Sequence, residues 1–504
     1  MAMGFNLNEK KVSKDLLINH NFTNAMFFGR TGSGKTSCGI LPNIEDRIKN
    51  DYGVLVYDFK GNLHTQVKLL ANKYKKLNDV IEIGKPWGKK INLCDYLNKD
   101  KLSLLIADSS LTDTYWTNSS RTLFSSVYTI CKNLNFLLSE IKINPKENKD
   151  HILNNVFDNK TSYAQIYKFI NSTKDLQDFY TLSLELINLL SNSPFHEKKF
   201  DIYEKKMSFE KILSDTSNLI DSLVFYNQVK TNETGGKVAV LNHLSSILVE
   251  VAHKDYLNHD EIDLIKELRD GKIVIIDVSS FNDNTLNILN LAIYNRLQKA
   301  SYSFLKPVSI FIDEAQKVLN ADYLPQVDVC RESKFEYIFA TQDKILLENK
   351  LGKDKFEELF TNIISKYSFA TNDNDITQQF EYLNLSTNRQ AFAKPLFLDK
   401  KDLINVEYLF QKKNDILGYS DYSSLNNDKY ILKYDEKLIE DYKILIEKFD
   451  GEIIEARYLS YPIKKKINKN EFIKKDQFYK EKRAFEQGVD EEEIVINFLN
   501  LIVD

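Results

Sequence analysis

The sequence predicts an α/β protein: a parallel sheet whose strands are covered on both faces. Three observations predict it. Short apolar runs alternate with helical patterns, as they do where each strand is followed by a crossover helix. Most of the runs are continuous or nearly so, the pattern of strands buried on both sides. The first run opens directly into a glycine-rich loop with a helical pattern behind it.

Taken in order, the strand candidates are "NAMFFG" (24–29), "GVLVYD" (53–58) and "VIEIG" (80–84), then "KIVIID" (272–277), "VSIFID" (308–313), "EYIFAT" (336–341) and "KYSFAT" (366–371). Between about 100 and 260 strand candidates vanish. The pattern there is long, helical and rich in Leu, Ile and Phe, as in "RTLFSSVYTICKNLNFLLSEI" and "DLQDFYTLSLELINLLSN". An all-α insertion is expected, splitting the sheet domain in sequence but not in space. Within it, "NQVKTNETGGKVAV" holds a Gly-Gly pair and predicts a loop. The expected division is 1–100 with 260–385 as one discontinuous sheet domain, 101–259 as the inserted helical domain, and 386–504 as a mixed C-terminal region. That region ends in a charged tail. Residues 464–483 hold nine Lys or Arg against three acids, and 486–504 hold six acids and no Lys or Arg. No solenoid repeat is visible.

Composition limits the function classes. The 504 residues are 43% hydrophobic and 28% charged, as in an ordinary globular protein. A net charge of -4 supplies no global cationic field, although a groove or ring needs only a local basic lining to hold DNA. Cys38, Cys94, Cys131 and Cys330 lie far apart without a CxxC pair, which argues against a disulfide framework and a structural zinc site. No apolar run approaches the length of a membrane span, and the opening residues lack a signal-peptide core. The expected location is the cytoplasm.

Gly29-Arg30-Thr31-Gly32-Ser33-Gly34-Lys35-Thr36 fits G-x-x-x-x-G-K-[ST] without mismatch. These eight residues and Ser37 are expected to bind the nucleotide: glycines let backbone N–H groups curl around phosphate oxygens, and the following helix offers its positive end to them. Lys35 is expected on the β- and γ-phosphates of ATP, and Thr36 on Mg²⁺. Such a loop needs a carboxylate on a neighbouring strand, and "VSIFIDEAQ" supplies Asp313 for the metal and Glu314 to polarise water. The next strand ends in Thr341-Gln342, which places Gln342 where it can meet the γ-phosphate or the attacking water. Arg331 lies before that strand. In a ring it would project into the neighbour's site, or it is simply an exposed arginine.

Together these stretches resemble the HerA/FtsK branch of P-loop motors, and within it the coupling ATPases of type IV secretion and conjugation. "GRTGSGKTSCGILPNI" resembles the family's loop and helix. "YGVLVYDFKGNLH" resembles its second-strand motif Asp-Pro-Lys-Gly-Glu, here Asp58-Phe59-Lys60-Gly61-Asn62. "YWTNSSRTLFSSVYTIC" resembles the entry to its helical domain, and "FIDEAQKVL", "CRESKFEYIFATQD" and "IISKYSFATNDNDITQQF" follow in the family's order. The resemblance covers about 24 to 385. It implies a RecA-like nucleotide-binding domain, a homo-hexameric ring, a trans role for Arg331 and a sensor role for Gln342. It further implies sequence-independent DNA binding, with a relaxase and type IV secretion channel components as partners. Coupling proteins usually begin with transmembrane helices and this sequence shows none, so the expectation is peripheral attachment to the inner membrane through partners, with no direct membrane span.

The expected function is an Mg²⁺-dependent ATPase that moves DNA or a DNA–protein complex. A HerA-type cytosolic translocase in repair or defence is the alternative within the class, and a non-hydrolysing recruitment adaptor the alternative outside it. The intact Lys35, Thr36, Asp313 and Glu314 argue against the adaptor. The stretch "IKKKINKNEFIKKDQFYKEKRAF" could grip nucleic acid by charge and stacking, but an amphipathic helix docked by its aromatic face is preferred.

Overall fold

The computed structural model describes residues 16–85, 88–97, 105, 114–140, 160–191, 199–202, 205–223, 234–299, 306–325, 327–369, 396 and 398. The charged tail, and all of 386–504 except Leu396 and Leu398, lie outside the described residues.

All seven expected runs form strands of one sheet. β1 (Ala25–Phe28), β2 (Gly53–Asp58) and β3 (Val80–Ile83) precede the helical stretch, and β6 (Ile273–Asp277), β7 (Val308–Asp313), β8 (Phe335–Thr341) and β9 (Ser365–Ser368) follow it. The order across the sheet is β3-β6-β2-β7-β8-β1-β9, and every pairing is parallel. All the strands therefore end at one edge, where a parallel sheet collects its ligands.

The pleat sends alternate side chains to opposite faces. Met26, Phe28, Leu55 and Tyr57 enter one apolar core, and Ala25, Phe27, Val54 and Val56 the other. The second core is closed by α1 (Leu41–Lys49), whose first turn over Lys35–Ile40 is wound wide as a π-helix, and by α2 (Leu63–Lys73).

The first core continues into the helical stretch. It comprises α3 (Thr114–Glu140), α4 (Tyr163–Ile170), α5 (Thr173–Ser191), α6 (Phe209–Ser222) and α7 (Thr234–His253). On α3, Leu123, Phe124, Val127, Ile130, Cys131, Leu134, Leu137 and Leu138 form one buried stripe at helical spacing. α3 packs on α6 and α7, and α4 on α5 and α7. Ser162 and Ser208 start α4 and α6 by accepting the N–H groups of Gln165 and Lys211, both at 3.2 Å.

Two expectations for this stretch are corrected. It contains an antiparallel pair, β4 (Lys199–Ile202) with β5 (Lys205–Ser208). Four-residue strands half made of lysine and polar residues carry little β signal, because their pairing partner rather than their own composition defines them. Gly235 and Gly236 lie inside the first turn of α7, not in a loop. The first-turn N–H groups have no helical partner to lose, and the apolar face behind them (Val240, Leu241, Leu244, Leu248, Val251) is buried and holds the helix.

After α7 the chain returns to the sheet through α8 (Leu264–Arg269), started by Asp263, and α9 (Asp283–Lys299). A short α10 (Ala315–Val318) follows β7, and α11 (Lys344–Leu351) and α12 (Lys353–Asn362) join β8 to β9. Among the described residues no helix is long and apolar enough to cross a membrane.

Candidate active site

The loop after β1 turns where its glycines require it. Gly32 and Gly34 have φ of 77° and 104°, and a Cβ on Gly29 would stand 2.5 Å from Ser33 Oγ. The loop is tied to the sheet by Gly29 N, which donates to Thr341 O at 3.2 Å. Arg30, Thr31 and Gly32 are exposed, Gly34, Thr36 and Ser37 half-buried, and Ser33 and Lys35 buried. Lys35 Nζ donates to the carbonyls of Gly29 (2.5 Å) and Arg30 (3.3 Å). Burial lowers its pKa against the opposing pull of Asp313 and Glu314.

Asp313 ends β7 and Glu314 follows it on the turn. β7 is not the direct neighbour of β1, as the sequence reading had it. β8 lies between them, and the first turn of α1 reaches across β8 to β7. Thr36 Oγ1 donates to Asp313 Oδ2 at 3.0 Å. Asp313 Oδ1 is buried without a hydrogen-bond partner. Burial pushes this carboxyl above its ordinary pKa, Lys60 opposing and Glu314 reinforcing. An orphaned carboxylate oxygen beside a threonine hydroxyl is a hard oxygen donor set that fits Mg²⁺. Among the described residues no cluster of three or more His, Cys, Asp or Glu offers another metal site.

Glu314 has φ 65° and ψ 53°, in the left-handed region. Its side chain collects three partners. Lys60 Nζ pairs with Oε1, while Gln316 Nε2 and Gln342 Nε2 donate to Oε2 at 2.5 and 2.9 Å. Burial would raise its pKa, but the Lys60 ion pair and the two amides hold it below the usual value.

A cavity of about 340 Å³ opens over the loop, lined among others by Lys35, Thr36, Lys60, Leu396 and Leu398. Leu396 N donates to Ser37 O at 2.7 Å, so this segment lies along the start of α1. Both leucines also pack on the second core.

Lys35, Thr36, Asp313, Glu314 and Gln342 are thus brought together. Asp58 stands at the same edge with both oxygens engaged. Oδ1 accepts Gly61 N at 2.8 Å, and Oδ2 accepts His64 N and pairs with His64 Nδ1, both at 3.0 Å. Burial would raise its pKa, yet the bonds from His64 hold it at about 2. Arg331 is not brought to the site. It sits on an exposed turn leading into β8, at the sheet edge opposite the nucleotide loop. Sequence reasoning also missed Gln316, although it stands within the quoted "IDEAQ", and Leu396 and Leu398, which carry no local signal.

Residues 307–381 match the family model described as the TraM recognition site of TraD and TraG. That segment contains Asp313, Glu314, Arg331 and Gln342. None of the curated proteins compared matches the chain. Solved structures that do match include the bacterial conjugative coupling protein TrwBdeltaN70, at 12% identity over 69% of each chain with a TM-score of 0.40. The plasmid coupling protein TrwB in complex with ADP and Mg²⁺ matches at 13% identity over 69% of this chain and 71% of that one, with a TM-score of 0.41. VirB4 of Thermoanaerobacter pseudethanolicus matches at 12% identity over 71% of this chain and 81% of that one, with a TM-score of 0.37. The chain resembles the coupling-protein ATPases of type IV secretion and conjugation, and the match over residues 307–381 carries that resemblance.

Proposed function

We propose that the protein is an Mg²⁺-dependent ATPase that assembles as a homo-hexameric ring and moves DNA or a DNA–protein complex. The observation that carries this is the meeting of five residues at one end of the sheet: Lys35 and Thr36 line the cavity, Thr36 bonds Asp313, Gln342 bonds Glu314, and Asp313 Oδ1 is left unpartnered. Triphosphate would lie in the loop, its oxygens taken by backbone N–H groups, with Lys35 leaving the Gly29 and Arg30 carbonyls for the phosphates. Thr36 and Asp313 would hold Mg²⁺, which when bound neutralises phosphate charge. Glu314 would take a proton from the attacking water, and Gln342, bonded to it, would register the change at the end of β8. Leu396 and Leu398 give the cavity an apolar wall suited to the face of a nucleobase.

The match to a model named for TraD and TraG supports the conjugative setting, and with it a relaxase, secretion-channel components and inner-membrane attachment through partners. The test is steady-state ATP hydrolysis by the purified protein, with and without single- and double-stranded DNA, at low and moderate salt. Salt-sensitive stimulation by one DNA form is expected, since contacts to phosphates release counterions, with Lys35→Ala inactive throughout. Full activity in Lys35→Ala would end the ATPase assignment; activity indifferent to DNA would end the DNA-motor assignment.

A further inference from the structure

Lys60 is unlike the other cations at the site. Its backbone is fixed, because Asp58 accepts the N–H groups of Gly61 and His64 just beyond it. Its side chain is 46% exposed and free to swing, whereas Lys35 is buried in the loop. It pairs with Oε1 of Glu314, while Gln316 and Gln342 engage Oε2. Oε2 thus has two partners, and Oε1 can still meet a water, but an ammonium group on Oε1 lowers the basicity with which it can take a proton from that water. Lys60 also lines the cavity that holds the nucleotide loop, and its charge is felt at Lys35 and Asp313.

We propose that Lys60 is a latch that responds to the γ-phosphate. It holds Glu314 while the terminal phosphate is absent, and it moves to that phosphate when ATP binds, which frees Glu314 Oε1 for the attacking water. The inference rests on the ATPase reading above. A terminal phosphate carries more charge than one carboxylate and presents more acceptor oxygens, so it competes well for an exposed ammonium group. Lys60 stays protonated throughout, and no covalent step is involved. ADP, lacking the γ-phosphate, leaves the latch closed.

The test is calorimetric titration of the full chain with Mg²⁺ and either ADP or the non-hydrolysable β,γ-imido analogue of ATP. In Lys60→Met the analogue is expected to bind about tenfold more weakly, the loss of one charge-assisted contact, while ADP binds as in the wild type. Lys60→Arg should restore most of the analogue's affinity. Lys60→Gln carries the same expectation as Lys60→Met and replaces it if that variant does not fold. Equal weakening of both nucleotides would assign Lys60 a structural role and overturn the latch, as would no change in either. A wild-type protein that binds neither nucleotide would overturn the ATPase reading itself, whereas wild-type binding with an unaltered Lys60→Met overturns the latch alone.

Discussion

Glu314 is held in a backbone conformation that residues with a Cβ avoid. Such strain persists only where the surroundings enforce it, and here three side chains, Lys60, Gln316 and Gln342, fix the carboxylate on the strained turn. Replacing it with Gln keeps the shape and the strain but removes the basic oxygen. Glu314→Gln is therefore expected to bind ATP as the wild type does and to hydrolyse it ~10²–10⁴-fold more slowly, the usual worth of a general base. Single-turnover hydrolysis alongside nucleotide titration checks this, and wild-type turnover would remove Glu314 from that role. That these residues come together was legible because phosphate-binding motifs keep short fixed spacings: Lys35 and Thr36 to the glycines, Glu314 to Asp313. Gln316 was not, because it reaches back to Glu314 only when the chain turns into the four-residue α10. Lys60 was legible at this edge from the second-strand motif, but its pairing with Glu314 was not, and Leu396 arrives by a distant return of the chain that local sequence does not encode.

At the scale of elements, the seven strands were legible because burial on both faces demands uninterrupted apolar residues, and the long α3 because its apolar stripe repeats over 27 residues. The hairpin of β4 and β5 and the glycine start of α7 were not, since pairing and packing override weak local preference there. The β2–α2 junction shows how an element end serves the site. Asp58 caps the start of α2, and in doing so fixes the backbone beyond Lys60. Its folded-state pKa of about 2 lies below the ordinary 3.8. A depressed carboxyl contributes stability above its unfolded pKa and loses it as pH falls through the folded one. The contribution, about 2 kcal/mol, is therefore complete above about pH 5, falls mostly between pH 4 and pH 2, and is gone near pH 1. Asp58→Asn should unfold at lower urea than the wild type at pH 5, and the gap should narrow as pH falls from 4 towards 2. A gap independent of pH over that window would mean that the Asp58 charge does not hold this junction.

The whole molecule sets the last question, because one chain does not bring Arg331 to its own candidate site. All strands of the sheet are parallel, so the loop after β1 and the turn before β8 stand at opposite edges. The seven residues of β8 separate them by ~20 Å at ~3.3 Å per residue. An arginine side chain does not span that distance. Arg331 therefore acts on phosphate only from a neighbouring subunit, or not at all. Its exposed turn is compatible with a ring in which each subunit offers one edge to the next. Arg331→Ala and Lys35→Ala chains should each be inactive alone. Mixed, they should regain ATP hydrolysis at about one site in four, where an intact Lys35 meets an intact Arg331 across a subunit boundary. Mass measurement of the mixed rings establishes that both chains are present. Rings shown to be mixed yet inactive would count against the trans role, and full activity in Arg331→Ala alone would exclude Arg331 from catalysis.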